Sequence, residues 1–405
     1  MAGGNWKKGR YRKSWHGIPT ALLLATWGLA GCGQEAAQDA QSFQVRDSAG
    51  VTIYDNSGGE WTEATAWTLS SDPILTIGEL DGPEEYLLFR ASGARRLSNG
   101  NIVIANAGTH ELRFYDPKGT HLRSVGGEGD GPGEFRLIGD PWLLGSDSIV
   151  IWDSRNARLT VFDINGELGR SFRLDPIPET FRPTPEGVLA DNSLLVSARI
   201  EWEGQVTQGI SRDSILYARY SLEGARTATV LRSQGAQWNI GMLDGSQIIA
   251  WVPDAPNLAA TIFGDRWYFG SGETWEIEVY SPEGALTHRL RRDAPNRLFV
   301  PEIEDEDPEM APGIARFWAS MPIPETFPAY RSFIASDAGN LWVENYTRPN
   351  EQPSWAVFRD DGRYLGEVDT PMGAQVTHIG DDFVLVIWED ELGVQQVRMY
   401  ELIKP

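Results

Sequence analysis

Cysteine, histidine and positive charge are the scarce features of this sequence of 405 residues. A single cysteine cannot form an internal disulfide or a zinc site built from several cysteines. The 35 basic side chains are outnumbered by 57 acidic ones, and a net charge of −22 disfavours binding to a nucleic acid, which is itself a polyanion. Hydrophobic residues make up 41% and charged residues 23%, which is typical of globular proteins and excludes global disorder.

The one cysteine, Cys32, follows a segment that is typical of an export signal. Residues 1–31 contain basic side chains and no acidic one, and their apolar run is shorter than the ~20 residues that a membrane-spanning helix needs. The run ends in Leu29-Ala30-Gly31-Cys32, which resembles the lipobox of bacterial lipoproteins. The resemblance implies cleavage before Cys32, lipidation of its sulfur and export to the cell envelope with a membrane anchor.

Two further expectations concern the residues after the cysteine. Gly33 stands where an aspartate would indicate retention in the inner membrane, so the family rule favours the outer membrane. Residues 32–45 are small and polar without a strand pattern, and we expect them to form a flexible tether.

An aromatic residue followed four positions later by glycine recurs five times in the rest of the chain. Turn-forming residues lie between the two, and this pattern predicts hairpins in which glycine supplies the positive φ. An apolar run precedes each aromatic residue and another strand-like run follows each glycine, so with an inner strand each repeat has about four antiparallel strands, as a propeller blade does. The five copies are Tyr115 with Gly119, Phe162 with Gly166, Tyr220 with Gly224, Tyr280 with Gly284 and Phe358 with Gly362.

A sixth copy of the repeat begins at Tyr400, and the chain ends before its outer strand. Residues 74–78 are built like an outer strand, so we expect this N-terminal strand to pair with the last strands and close the ring, which hides sheet edges. The sequence therefore predicts an all-β fold, a six-bladed β-propeller of four-stranded antiparallel blades. The predicted organisation is a signal peptide over 1–31, a tether over 32–45 and the propeller over 46–405.

The first two repeats carry motifs that can be compared with known propellers. Residues 127–135 read Gly-x-Gly-x-Gly-Pro-Gly-x-Phe, and residues 104–116 form the strand pair before them. Both resemble NHL-repeat propellers, and the chain as a whole is similar to bacterial six-bladed propeller lipoproteins. The resemblance weakens after residue 175.

Propeller topology sorts the loops between two ends of the ring. The short hairpins described above share one end, whereas the segments that join second to third strands and that cross between blades share the other, here called the long-loop end. Recognition usually resides in long loops on a rigid scaffold. The long-loop end comprises residues 128–140, 175–186, 199–213, 232–258, 291–330 and 345–354.

Six charged residues at the long-loop end are the candidates for ligand binding. The sequence Pro-Ile-Pro-Glu-Thr-Phe occurs twice, at 176–181 and 322–327, and an arginine cluster nearby would suit a carboxylate or sulfated ligand through bidentate contacts. Proline-fixed crossings and salt bridges between blades are the alternative roles for these residues. The candidates are Arg136, Arg155, Arg182, Glu179, Glu325 and Arg331.

Catalytic patterns are weak in this chain, and whether it is an enzyme stays open. The histidines beyond residue 31 are scattered, and lipidation of Cys32 would use the only thiol. We therefore expect a monomeric, non-catalytic module without a cofactor that binds a protein, peptide or glycan and no nucleic acid. The alternative is a calcium-dependent hydrolase of the lactonase type, in which Asn106, Asp153 and Asn345 would hold Ca²⁺ in the central channel.

Overall fold

A computed structural model describes residues 42–145, 148–201, 207–243, 245–300 and 312–405. Cys32 and the predicted signal peptide lie outside these residues. The described chain begins with four short strands: β1 (Phe43–Ser48), β2 (Val51–Asn56), β3 (Thr68–Leu69) and β4 (Leu75–Ile77). A single turn of 3-10 helix over Glu84–Tyr86 follows.

Six antiparallel sheets, or blades, make up the rest of the fold. Blade 1 contains β5 (Ala91–Arg96), β6 (Ile102–Asn106), β7 (Glu111–Tyr115) and β8 (His121–Gly126), and blade 2 contains β9 (Trp142–Leu144), β10 (Ser148–Asp153), β11 (Arg158–Asp163) and β12 (Leu168–Arg173). Blade 3 contains β13 (Thr184–Val188), β14 (Leu194–Arg199), β15 (Gly209–Tyr220), β16 (Arg226–Leu243) and β17 (Ser246–Trp251). Blade 4 contains β18 (Ala259–Phe263), β19 (Arg266–Gly270), β20 (Glu276–Tyr280) and β21 (Leu286–Arg292).

The helix α1 (Pro312–Ala319) separates blade 4 from the last two blades in sequence. Blade 5 contains β22 (Tyr330–Ala335), β23 (Leu341–Asn345), β24 (Ser354–Phe358) and β25 (Tyr364–Asp369), and blade 6 contains β26 (Ala374–Ile379), β27 (Phe383–Glu389) and β28 (Gln395–Ile403). Among the residues that the structure describes, no helix is both long and apolar enough to cross a bilayer.

The repeated hairpins fold as the sequence predicts. Each aromatic residue of the repeat is the last residue of the third strand of its blade, or in blade 2 the last but one, and each glycine stands in the turn to the fourth strand. The five glycines all have positive φ, between 82° and 90°, which costs glycine little and other residues much more. Local turn chemistry therefore sets the register of the outer strand pair in five blades.

The core lies between the blades rather than within any one of them. Six apolar clusters are formed, each by two neighbouring sheets, and one of them joins blade 6 to blade 1 through Leu385, Met399, Ile102 and Tyr115. Second strands such as β6 are buried along their whole length, because they have a neighbouring blade on both faces. The first strands of the six blades line a central channel.

The N-terminal strands run around the outside of three blades as a belt, here residues 43–77. β2 pairs in parallel with β21 and extends blade 4, whereas β3 and β4 both pair with β28 of blade 6. Between them Trp61 packs over Gly366 of blade 5. The belt begins at Phe43, inside the range predicted to be tether, and the Phe43 ring packs against Arg363 in the short hairpin of blade 5.

Blade 3 departs from the predicted four-strand pattern. β15 and β16 are 12 and 18 residues long and project beyond the blade at the long-loop end, where β17 pairs with the tip of β16. Phe317 of α1 is buried against this extension. Residues 209–213 and 232–251, predicted as long loops, are therefore largely strand.

Candidate anion-binding site

A cavity of about 510 Å³ opens at the long-loop end between blades 1 and 2. We call it the arginine pocket, because three of its nine lining residues are arginines. Its lining is Phe89, Arg90, Ala107, Gly108, His110, Glu128, Arg136, Leu137 and Arg155.

Four separate segments of the propeller deliver these side chains. Arg90 immediately precedes β5, and His110 lies in the connection from β6 to β7. Arg136 lies in the crossing from blade 1 to blade 2, and Arg155 lies in the connection from β10 to β11. Because all four segments emerge at the same end of adjacent blades, residues that are up to 65 positions apart share one cavity.

The glycine-rich crossing over residues 127–135 is held firmly on the second blade. Phe135 is fully buried between the two blades, and its N–H donates to the Gly127 carbonyl over 2.8 Å. From β11, the buried guanidinium of Arg158 donates to the carbonyl oxygens of Asp130, over 2.7 Å, and of Glu134. Arg158 therefore holds the backbone of the crossing in place and does not line the pocket.

The charge of Arg136 is compensated within the protein. Its Nη1 lies 3.0 Å from the Glu128 carboxylate, and its Nε and Nη2 each lie 3.1 Å from an oxygen of Asp130. The hydrogen bond from Arg136 holds the pKa of the Asp130 carboxyl below its usual value. This arginine is therefore oriented by two acids, in the manner of a bidentate ion pair.

Arg90 and Arg155 differ from Arg136 in this respect. Both side chains are exposed, and neither guanidinium forms a hydrogen bond or ion pair with a residue that the structure describes. Their two positive charges therefore remain available to a ligand, in a chain whose net charge is −22.

Two lining residues of the pocket have unusual backbone conformations. Arg90 and His110 have φ of 54° and 59°, a left-handed region that non-glycine residues seldom adopt. The Nδ1 atom of His110 is also buried without a hydrogen-bond partner among the described residues. Strain and unsatisfied polar atoms of this kind concentrate at functional sites.

The structure brings together three of the six predicted ligand residues. Arg136 and Arg155 line the pocket, and Arg182 donates to the carbonyl oxygens of Ser154, over 2.9 Å, and of Arg155, over 2.8 Å. Arg182 therefore holds the loop that carries Arg155. The other arginine, Arg331, belongs to blade 5, where it donates to the Thr347 carbonyl and stacks on Tyr346.

The two copies of Pro-Ile-Pro-Glu-Thr-Phe are used in opposite ways. In the first copy Ile177 is buried and Phe181 is 43% exposed, whereas in the second copy Ile323 is 73% exposed and Phe327 is buried. Glu179 and Glu325 are both exposed, and neither is among the residues that line the arginine pocket or the central channel. The structure therefore does not bring these two carboxylates together.

The three residues of the calcium alternative act as local caps in the structure. The Asp153 carboxylate accepts the N–H groups of Arg136, Leu137, Arg155 and Asn156. The side-chain oxygen of Asn106 accepts the Phe89 N–H over 2.8 Å, and the Asn345 amide donates to Ser354. None of the three lines the channel, and the described residues contain no group of three or more His, Cys, Asp or Glu side chains arranged to hold a metal ion.

Sequence reasoning missed Arg90 and Phe89, because the search for long loops began after blade 1. A signal was present: a Phe-Arg pair precedes the first strand of blade 1 at 89–90 and that of blade 2 at 135–136. The two Phe-Arg pairs differ in the folded protein, because Phe135 is buried whereas Phe89 is 62% exposed at the rim of the pocket.

Comparison with known proteins agrees with the architecture described above. Residues 80–208 match the model of the family DUF5128, described as a 6-bladed beta-propeller. Similar solved structures include a putative exported protein from Bacteroides fragilis, which is 12% identical, with 87% of this chain and 99% of that chain covered and a TM-score of 0.49. A member of the DUF4221 family from Bacteroides vulgatus is 10% identical, with 84% and 99% covered and a TM-score of 0.49.

A gluconolactonase from Xanthomonas campestris is also similar, at 13% identity, with 77% of this chain and 86% of that chain covered and a TM-score of 0.39. No curated protein matches the sequence. The family match over 80–208 and the six sheets of the structure confirm the predicted fold: the chain is an all-β, six-bladed β-propeller.

Proposed function

We propose that the protein is a non-catalytic binding module of the bacterial cell envelope, held at a membrane by a lipid on Cys32. Its arginine pocket binds an anionic group carried by a peptide, a glycan or a protein partner. The observation that supports this function is the pair Arg90 and Arg155, whose charges have no acidic partner among the described residues of a strongly acidic chain.

The chemistry of the pocket favours a carboxylate or a sulfate group. A guanidinium presents two parallel N–H donors to either group, and such charge-assisted hydrogen bonds are stronger than neutral ones. Beside the arginines, Phe89 and Leu137 are 62% and 43% exposed and offer apolar contact to the body of the ligand. The pocket therefore has the composition of a site for an acidic group on an apolar or sugar framework.

Calorimetric titration with a sulfated disaccharide and its unsulfated counterpart tests this proposal. We expect the sulfated sugar to bind with an affinity that falls as salt is added, because the attraction is between exposed charges. The variants Arg90→Ala and Arg155→Ala should each weaken binding by about tenfold, the usual worth of one charge-assisted contact. Equal binding of both sugars would contradict the proposal.

Arg170→Ala is the matched control. Arg170 lies in β12, the outermost strand of blade 2, and does not line the pocket. Its side chain is 46% exposed and lies 3.6 Å from Glu223. Its removal changes the net charge as the test variants do but leaves the pocket intact. A similar loss of affinity in all three variants would show that net charge, and no particular pocket, attracts the ligand.

A further inference from the structure

The central channel is a second cavity, separate from the arginine pocket. It has a volume of about 610 Å³ and is lined by residues from the first strands of all six blades. Six of its lining residues carry acidic or basic side chains: Arg95, Asp140, Glu186, Asp337, Glu344 and His378. Six such side chains in the middle of a propeller need an explanation, because burying charge without a partner is costly.

A repeated irregularity of the inner strands places polar groups in the channel. In blades 1, 3, 5 and 6 the pairing of the first strand with the second shifts register within the strand. In blade 2 the four steps from Ile138 to Trp142 pair with the three steps from Asp153 to Val150, which is the same one-residue offset. The residues at these bulges that line the channel are Ser92, Asp140, Glu186, Ser332 and Thr377.

Blade 4 is the exception and gives the channel an apolar side. The pairing of β18 with β19 runs without a register shift from Ala259 to Phe263. Its contribution to the channel is Ala260, Thr261, Ile262 and Phe263, of which three are apolar. The channel therefore has a polar arc built on bulges and an opposite wall built on a regular strand. Bulges are commonly kept where a side chain must be aimed at a site.

Arg95, the arginine that lines the channel, already has partners within the protein. The Arg95 guanidinium pairs with Asp140 over 2.5 Å and also donates to the Thr377 carbonyl. Gly93 makes room for this pair, because a Cβ at that position would lie 1.7 Å from Oδ1 of Asp140. Arg95 and Asp140 therefore neutralise one another across the boundary between blades 1 and 2.

His378 does not add a positive charge. Its Nδ1 accepts the N–H of Arg96 over 3.1 Å, so its proton is on Nε2, which donates to Asp337 over 3.0 Å. His378 is 6% exposed, and burial lowers the pKa of its imidazole. The imidazole is therefore neutral near pH 7 and supplies no positive charge to the channel.

Glu186 is one of three channel carboxyl groups, with Asp337 and Glu344, that form no ion pair with an arginine or lysine among the described residues. Ser197 on the neighbouring strand β14 favours its ionised form, and no arginine, lysine or histidine forms an ion pair with it among the described residues. Glu344, the fourth acid of the channel, accepts a hydrogen bond from Ser332 over 2.7 Å. Burial raises the pKa of the Glu186 carboxyl, against the effect of Ser197. A cation beside it would restore its ionised form.

From this geometry we infer that the central channel binds a small protonated amine, with Glu186 as its counter-ion and the wall of blade 4 against its carbon body. The acids of the polar arc attract a cation, and the apolar wall suits a carbon framework better than the water shell of a metal ion. This site is independent of the arginine pocket, which has the opposite charge preference.

Titration with benzylamine tests the inference on the intact protein. We expect benzylammonium to bind with one-to-one stoichiometry, and benzyl alcohol and benzoate, which have the same ring without the positive charge, to bind at least about tenfold more weakly. Binding of benzoate as tight as that of benzylamine would overturn the inference and indicate that Arg95 is the acceptor. Displacement of benzylamine by micromolar Ca²⁺ would also overturn it, in favour of a metal site.

Two variants locate the site. Glu186→Gln keeps the size and the hydrogen-bonding capacity of the side chain, and we expect it to weaken benzylamine binding by at least about tenfold. Glu179→Gln is the control, because Glu179 is an exposed glutamate that does not line the channel. Unchanged affinity in Glu186→Gln would refute the role of this residue. The comparison of benzylamine with benzyl alcohol on the unaltered protein remains decisive if Glu186→Gln does not fold.

Proton release on amine binding distinguishes Glu186 as the counter-ion from Glu186 as a purely structural residue. Because the pKa of Glu186 is raised, binding of the amine should expel a proton at a pH below that pKa, and affinity should rise with pH. The other ionisable groups around the channel are Arg95, Asp140, Asp337, Glu344 and His378, and Tyr217 is near enough to Glu186 for the Glu186 charge to raise its pKa. We expect the released proton, measured in buffers of different ionisation enthalpy, to be lost in Glu186→Gln and retained in Glu179→Gln.

Discussion

Arg158 offers a sharp test of how the blade crossing beside the arginine pocket is held. Its guanidinium is buried, with 8% of the residue exposed, and it donates to two backbone carbonyl oxygens, those of Asp130 and Glu134. Replacing it by methionine keeps the apolar stem but leaves both carbonyls without a donor. Hydrogen bonds from a charged donor contribute ~1.5–3 kcal/mol each, so two of them give ~3–6 kcal/mol.

Part of this loss is recovered in the variant. The Nε of Arg158 is buried without a partner among the described residues, so removing the charge relieves a desolvation cost that we take as ~1–2 kcal/mol. We therefore expect Arg158→Met to lower the free energy of unfolding by ~1–5 kcal/mol, measured by urea denaturation with the slope checked against the unaltered protein. Because the crossing carries Glu128, which orients Arg136, the arginine pocket should bind its ligand more weakly as well.

Arg170→Met in the same blade is the control for this experiment. Arg170 is 46% exposed and lies 3.6 Å from Glu223, so its replacement should cost less than ~1 kcal/mol. A loss below 1 kcal/mol in Arg158→Met, or equal losses in the two variants, would refute the view that Arg158 fixes the crossing.

Three further predictions concern the channel and the anchor. Gly93→Ala should destabilise the fold and weaken amine binding, because the new methyl group must displace Asp140; an alanine variant with unchanged melting temperature would contradict this packing. Burial raises the pKa of Asp140, which lines the channel, to about 6. Between about pH 4 and 6 the folded protein therefore holds a proton on Asp140 that the unfolded chain has released. The free energy of unfolding of the unaltered protein, relative to that of Asp140→Asn, should rise as pH falls from 7 to 4. A difference between the two proteins that does not change with pH would contradict this pKa shift. Cys32→Ser should abolish labelling by fatty acid and leave the protein soluble or uncleaved, and lipid-labelled variant protein in the membrane fraction would disprove the anchor.

The repeated part of the fold was predictable because its determinants are local. The hairpin glycines need a positive φ, and each stands four residues after the aromatic that ends its strand, as with Tyr115 and Gly119. The second strands read as unbroken apolar runs because both of their faces are covered by neighbouring blades. These constraints act within about ten residues, so a single sequence carries them.

The rest depends on contacts between distant segments. The two identical hexapeptides bury Ile177 in one place and Phe327 in the other, because the neighbouring segments at 199–201 and 297–299 offer different surfaces. Likewise, a bulge such as the one at Glu186 leaves no mark in a strand whose residues are otherwise polar or small. The candidate site was predicted in part: Arg136 and Arg155 were selected by their place in the topology, whereas Arg90 was not.

The entry point of the chain into the propeller constrains how the molecule stands on a membrane. Phe43 begins the belt on the outer wall of the propeller, where the edge of blade 4 meets the short hairpin of blade 5, and ten residues separate it from Cys32. A chain of this length spans at most ~40 Å when fully extended. With a lipid on Cys32, the outer wall at blades 4 and 5 would stay within that distance of the headgroups. The arginine pocket lies between blades 1 and 2, across the ring from this wall, so a partner would reach the pocket on the side of the propeller that is farther from the tether.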